Sequence, residues 1–436
     1  MKDGALTAWL LAGIPFLGAV GTLAFWSNPV RLKQSSIAWS IVSLGSAVAL
    51  SGQVGLPPEG FLPLYLLPLT AMISLLGQPT HADHRESCIM TLLMLGFGLC
   101  VLANQPPVAS VALVLLFLLM ASLLYRHHSA LWPMSWWGIG CYVVGALCAG
   151  LSLEQGTLLS SVMSLAASAV LLPLVPFHEG HVTAVTRLPG SLPSFVVLLL
   201  PLLGLHGIAT VLPTIPETVA STLSLLALVG ASYGAAKALI QTRVRLLLAY
   251  GSLSFFSMLW WFAAATRSAT PRSALLAGSV GLAISGLLVA WQVVRTRYGD
   301  DVDPQAVSGL ASGMPQYAVL LSLLGLAAMG LPPFGVFAGF MGLLLSAPFP
   351  SSGGLVVTLL AWLAASWYIM QIMQSLLFGL LRPELRYVDV LRTEFAALLL
   401  AVLVLLALGL APSTLFVPDQ TMTATYSVLR PLVWNQ

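Results

Sequence analysis

The sequence predicts an all-α integral membrane protein of about 14 transmembrane helices. Three observations lead there: the scarcity of charge, a succession of apolar runs of spanning length, and a one-sided distribution of Lys and Arg. Of 436 residues only 7% are charged, Lys+Arg 17 against Asp+Glu 14, while 58% are hydrophobic. Mean hydropathy is +0.96. A soluble domain devotes about a quarter of its residues to charge, so this chain cannot clothe a water-facing surface. A soluble enzyme and a nucleic-acid binder with a basic face are both excluded, and the lipid bilayer is the first partner implied. The net charge of +3 says nothing about an acidic partner.

A hydrocarbon core of ~30 Å asks for roughly 20 mostly apolar residues per helix. By that rule the spans fall at 5–26, 35–52, 61–78, 88–105, 108–125, 134–152, 157–177, 192–212, 218–240, 246–265, 273–294, 316–346, 354–378 and 395–415. The first follows Met1-Lys2-Asp3 without a small-residue cleavage pattern, so it reads as a spanning helix rather than a removed signal. Spanning β-strands are excluded because they run to ~10 residues and alternate polar with apolar. The longest connection, Tyr298–Met314, carries Asp300, Asp301 and Asp303 but is too short for a domain.

The loops on the N-terminal side of these spans hold Lys2, Arg267, Arg272 and Arg430. The opposite side collects Arg31, Lys33, Arg85, Arg126, Arg187, Lys237, Arg243, Arg245, Arg295, Arg297, Arg382, Arg386 and Arg392. Miscounting one central span would scramble that split. The positive-inside rule therefore predicts a multi-pass protein of the cytoplasmic (inner) membrane with both termini on the non-cytoplasmic side. Cys88, Cys100, Cys141 and Cys148 lie in or beside apolar runs without a Cys-x-x-Cys, as packed thiols do.

Two spans are irregular. The seventh runs into Pro173 and Pro176, and the twelfth carries Pro332 and Pro333 in its middle. A break frees backbone groups that lipid cannot satisfy, so it is tolerated only inside protein or beside a wet cavity. Transporters place such breaks in corresponding positions of inverted repeats. The expected organisation is three N-terminal helices (1–87), a first five-helix repeat (88–212), a second, inverted one (218–378), and a C-terminal helix and tail (395–436). Each break is then the fourth helix of its repeat.

Ser168-Ala-Val-Leu-Leu-Pro-Leu-Val-Pro-Phe-His178, with Leu188-Pro189 beyond it, resembles the seventh-helix signature of the antiporter-like membrane subunits of respiratory complex I and Mrp-type cation/proton antiporters. Gln241-Thr-Arg-Val-Arg-Leu-Leu-Leu-Ala-Tyr-Gly-Ser-Leu-Ser254 is similar to that family's ninth-to-tenth helix turn. Gly330-Leu-Pro-Pro-Phe-Gly-Val-Phe-Ala-Gly339 resembles its twelfth-helix break, and Leu376-Leu-Phe-Gly379 and Arg392-Thr-Glu-Phe395 resemble its landmarks near the fourteenth helix. Together the matches cover roughly residues 90 to 415. The resemblance implies proton or cation translocation along mid-membrane ionisable side chains, with no cofactor of its own. It also implies other membrane subunits as partners, with a soluble catalytic partner on the cytoplasmic side.

The departures concern those ionisable groups. The fifth-helix glutamate falls near Leu118, the seventh-helix lysine at Leu171, the eighth-helix lysine at Leu202, and the group after the twelfth-helix break at Phe340. The eleventh-helix positions fall at Gly281 and Ser285. Two readings follow. Either the path is sealed and the chain is an anchoring, non-pumping subunit, or protons take another route. The candidates for that route are His178, Glu179, His181, His206, Lys237, Gln371 and Gln374, with Arg243 and Arg245 at the neighbouring turn. An inorganic-carbon uptake system, or an independent secondary transporter of a small solute, are the alternative settings.

His178-Glu-Gly-His181 places two imidazoles at helical i, i+3 spacing, but no third ligand is evident and no metal site is expected. His81, His84, His127 and His128 share the side of His178. They serve either as a protonatable approach or as solvated loop positions and partner contacts. Lys237 either snorkels to the headgroups or faces the bundle. Trp136-Trp137 and Trp260-Trp261 read as interface anchors.

Overall fold

The computed structural model describes residues 2–54, 56, 58–80, 85–127, 135–153, 157–298, 307–345, 352–379 and 388–411. The helices in chain order are α1 (Lys2–Leu23), α2 (Pro29–Leu50), α3 (Pro58–Gly77), α4 (Arg85–Ala103), α5 (Pro106–Arg126), α6 (Trp136–Leu151), α7 (Leu158–Leu171), α8 (Glu179–Arg187) and α9 (Leu192–Val211). They continue with α10 (Glu217–Leu239), α11 (Val244–Thr266), α12 (Pro271–Tyr298), α13 (Leu310–Gly313), α14 (Pro315–Ala328), α15 (Gly335–Leu344), α16 (Ser352–Leu377) and α17 (Arg392–Leu410). No strand occurs among the described residues. Among the described residues eleven helices are long and apolar enough to cross a membrane. The shorter α6 and two crossings made in halves, α7 with α8 and α14 with α15, complete the expected set of spans. The four-residue α13 was not expected.

Local chemistry sets the helix starts. Asn28 accepts from the backbone N–H groups of Val30 and Arg31, and Pro29 occupies the first turn. So α2 begins at Pro29 rather than at 35 and draws Lys33 into the helix. Buried there, Lys33 donates to the carbonyls of Leu76 (2.9 Å) and Gln78 (2.6 Å), capping the end of α3. A lysine expected in a loop is therefore an internal cap, favoured because helix C-termini attract cations.

The centre of the bundle is α12, whose apolar window is 100% buried, flanked by α11 at 89% and α9 at 78%. It packs on α3, α9, α11, α14, α15 and α17. Small residues permit this: a Cβ at Gly281 would lie 3.0 Å from the Cα of Leu198. The outer helices are the least buried, α2 being only 22% buried over its window and α16 28%. Neighbour relations recur along the chain. α4 packs on α5 and α9, α6 on α5, α7 and α8, and α7 on α9. In the same way α10 packs on α11 and α16, α12 on α11, α14 and α15, and α14 on α16.

On the arginine-rich side, Arg297 of α12 meets Glu394 of α17 at 2.8 Å and donates to the carbonyls of Val388 and Asp389. The Asp389 carboxylate accepts from the N–H groups of Gln316 (3.1 Å) and Tyr317 (3.2 Å), capping α14. One ionic knot thus ties three helices together.

Candidate functional site

Both breaks are built alike. At the first, Pro173 and Pro176 offer no backbone N–H, so the ladder of α7 cannot run on and resumes only in α8. The carbonyl of Leu172 accepts from the indole N–H of Trp260 at 2.9 Å. At the second, Gly330 turns the chain with a φ of +73°, which a side chain would resist, and Pro332-Pro333 follows. The carbonyl of Met329 accepts from the indole N–H of Trp362, again at 2.9 Å. The peptides ahead of Pro176 and Pro333 are both cis.

The far ends of the half-helices are held by arginines. Arg245 donates to the carbonyls of Thr186 (3.1 Å) in the last turn of α8 and of Leu188 (3.2 Å) and Gly190 (3.3 Å) beyond it, and to Gln292 of α12 (3.2 Å). Arg272 donates to the Gly342 carbonyl of α15 at 3.2 Å. A guanidinium suits this place, since free carbonyls at a helix end carry partial negative charge.

Of the candidate polar residues, the fold gathers three around Tyr233 of α10. His178 is buried, its ring packed edge-on against Tyr233 with centroids 5.2 Å apart and its Nε2 3.7 Å from Glu179 Oε1. The Lys237 ammonium lies over the same ring, 5.8 Å from its centroid. The Tyr233 and Tyr250 rings meet edge-on, with centroids 6.1 Å apart. His181, fully buried, turns instead to α11, with Nε2 2.9 Å from Ser252 Oγ. Arg243 stands exposed at the N-cap position of α11. His206 stands apart, 14 residues or about 21 Å along α9 from Leu192. Gln371 and Gln374 lie on the exposed face of α16 and belong to no interior path. His127 lies 3.9 Å from Glu86, which pairs with Arg126 at 2.9 Å. His81, His84 and His128 fall outside the described residues, as do Asp300, Asp301 and Asp303. Among the described residues no group of three or more His, Cys, Asp or Glu could hold a metal ion.

The carried-over positions line the interior, with one correction. Leu171, Leu202 and Phe340 are at most 1% exposed, and Gly281 and Ser285 are buried on α12. The Phe340 ring packs 4.2 Å from Trp362. A Cβ at Gly204 would stand 2.5 Å from the Leu172 nitrogen, so α7 and α9 are in backbone contact. Leu118, however, is 49% exposed on the outer face of α5, while Phe117 and Met120 beside it are fully buried. The inward position at that level is thus Phe117 or Met120. Trp260 and Trp261 also depart from expectation, being buried rather than interfacial, whereas Trp136 and Trp137 are exposed as anchors are. Tyr250 and Ser252 stood in the Gln241–Ser254 motif without being singled out, and Tyr233 and Trp362 were missed, their one sequence signal being that polar tips in apolar spans need partners.

The fold and its paired breaks are those of an antiporter-type membrane subunit, and the sequence agrees. Residues 108–366, more than half of the chain, match the family described as NADH:quinone oxidoreductase/Mrp antiporter, transmembrane, and the chain belongs to that family. It is 29% identical over 254 residues to F(420)H(2) dehydrogenase subunit M of Methanosarcina mazei, covering 56% of this chain and 50% of that one. With NADH-quinone oxidoreductase subunit N 2 of Opitutus terrae it shares 26% identity over 318 residues, 72% of this chain and 57% of the relative. The chain therefore spans little more than half the length of these relatives. A chain of the Mrp complex from a Dietzia species superposes with a TM-score of 0.79 at 17% identity, covering 99% of this chain and 98% of that one, which shows a shared fold.

Proposed function

We propose that this chain is an anchoring, non-pumping membrane subunit of a multi-subunit energy-coupling complex, with its mid-membrane proton line sealed. The observation that carries this reading is the filling of that line: Leu171, Leu202, Gly281 and Phe340 stand buried and packed where ionisable groups are expected. A charge in the bilayer centre costs several kcal/mol and persists where a function needs it. Here those groups are gone, and at each break one freed carbonyl, that of Leu172 or Met329, accepts from a tryptophan N–H. The recurring neighbour pattern supports two repeats, α4–α9 and α10–α16. The arginine-rich face, with the Tyr233 cluster near it, is the cytoplasmic one and would meet a soluble catalytic partner.

The test is proton flux into vesicles holding the intact complex, followed with a pH-sensitive dye. His178→Ala and Lys237→Ala are expected to leave flux unchanged. Loss of flux in both variants would show a working path through His178, Glu179 and Lys237 and overturn the sealed reading. Purification in mild detergent tests the setting separately. A homogeneous lone monomer that transports a solute would favour an independent carrier.

A further inference from the structure

Ser122 of α5 and Thr222 and Ser232 of α10 are exposed, and each hydroxyl donates to a carbonyl of its own helix about one turn back. Gln371 and Gln374 of α16 do not satisfy themselves in this way. Both are exposed, and among the described residues neither carboxamide makes a hydrogen bond. Their depth follows from the neighbours of α16. Met373 packs on Gly325, ten residues or about 15 Å along α14 from Pro315. Tyr368 packs on Gly251, eight residues or about 12 Å along α11 from Arg243. Gln371 lies between those two levels, about two turns inside the arginine-rich ends of α11 and α14, and Gln374 is about one turn nearer that surface. Hydrocarbon offers a carboxamide neither donor nor acceptor, so lipid alone is a poor neighbour for this face.

The face has the spacing of a helix seam. Leu363, Trp367, Met370, Gln371 and Gln374 follow one another at the intervals of a single helical stripe, and all are exposed, Trp367 by 69%. Such a stripe packs into the groove of a second helix, with tryptophan as a frequent anchor. Polar side chains within a seam of this kind hydrogen-bond across it and fix its register. A carboxamide both donates and accepts. The complement is therefore a helix that brings amide, hydroxyl or imidazole side chains to the same depth.

We propose that this face of α16 is the contact surface for a membrane-spanning helix of another subunit, hydrogen-bonded through Gln371 and Gln374. The proposal rests on reading the chain as one subunit of a multi-subunit complex, and it stands whether or not the chain conducts protons. The test places the photo-crosslinker benzoylphenylalanine at position 367 in the intact complex in its native membrane. After illumination, mass spectrometry is expected to find adducts on a membrane-spanning peptide of a different polypeptide. Adducts confined to lipid, to this chain or to a second copy of it would overturn the proposal. If other membrane subunits still co-purify in mild detergent, that result leaves the multi-subunit reading standing, whereas a lone monomer ends both. The carboxamides are tested by Gln371→Leu with Gln374→Leu, which removes no hydrogen bond among the described residues. The crosslink yield at position 367, per inserted chain, is expected to fall several-fold. An unchanged yield would show that the carboxamides bind nothing across the face and would likewise overturn the proposal.

Discussion

Leu171 stands at the last turn of α7, buried against Gly204 of α9. Leu171→Lys would therefore place an ammonium in a buried, closely packed site. A cost of ~3 kcal/mol is expected, seen as a lower midpoint of thermal unfolding in detergent, and no proton conduction should appear because a relay needs several groups in series. A variant as stable as the parent would mean that the site is wetter than its packing implies. The same scale shows where sequence reading fails. Leu171, Leu202 and Phe340, each carried over with a proline or a Gly-x-x-Gly as register mark, are all buried. In α5 no such mark exists, and one residue along an apolar helix turns a side chain by about 100°. That is enough to put Leu118 on the lipid face and Phe117 inside.

The short half-helices α8 and α15 solve at each end a problem that a continuous span never meets. An indole N–H occupies the carbonyl released at each break, and a guanidinium holds the carbonyls at each far end. The break positions were legible from Pro173, Pro176, Pro332 and Pro333. Their partners were not, since Trp260 is 88 residues from Leu172 and Arg245 is 59 from Thr186. No local pattern reports such pairing. Arg245→Gln removes a charged donor from three carbonyls, and hydrogen bonds to charged groups are worth ~1.5–3 kcal/mol. Amide exchange in α8 is expected to quicken by about tenfold or more, with α10 unchanged. Unchanged exchange in α8 would show that its neighbours, rather than Arg245, hold it.

Across the whole molecule the spans agree with expectation because length and hydropathy decide them, while their arrangement depends on contacts the sequence does not reveal. The Arg297–Glu394 pair is one of these, joining the central helix to the last, its side chains only 16% and 11% exposed. Breaking a buried pair by removing one partner costs ~3–5 kcal/mol, whereas replacing both with apolar groups is often neutral. Arg297→Met and Glu394→Leu singly should lower the unfolding midpoint in detergent more than the two combined. Additive losses would mean that the charges act separately, Arg297 through Val388 and Asp389 alone. The complete burial of α12 also bears on how the protein is made. Its walls come from both directions in the chain: α3, α9 and α11 precede it, while α14, α15 and α17 follow. As the ribosome releases it, α12 meets half a socket, and Ser279 and Gly286, which the completed protein sets against α15 and α14, face lipid until the rest arrives. The walls of α12 are thus complete only once α14, α15 and α17, which follow it in the chain, are in place.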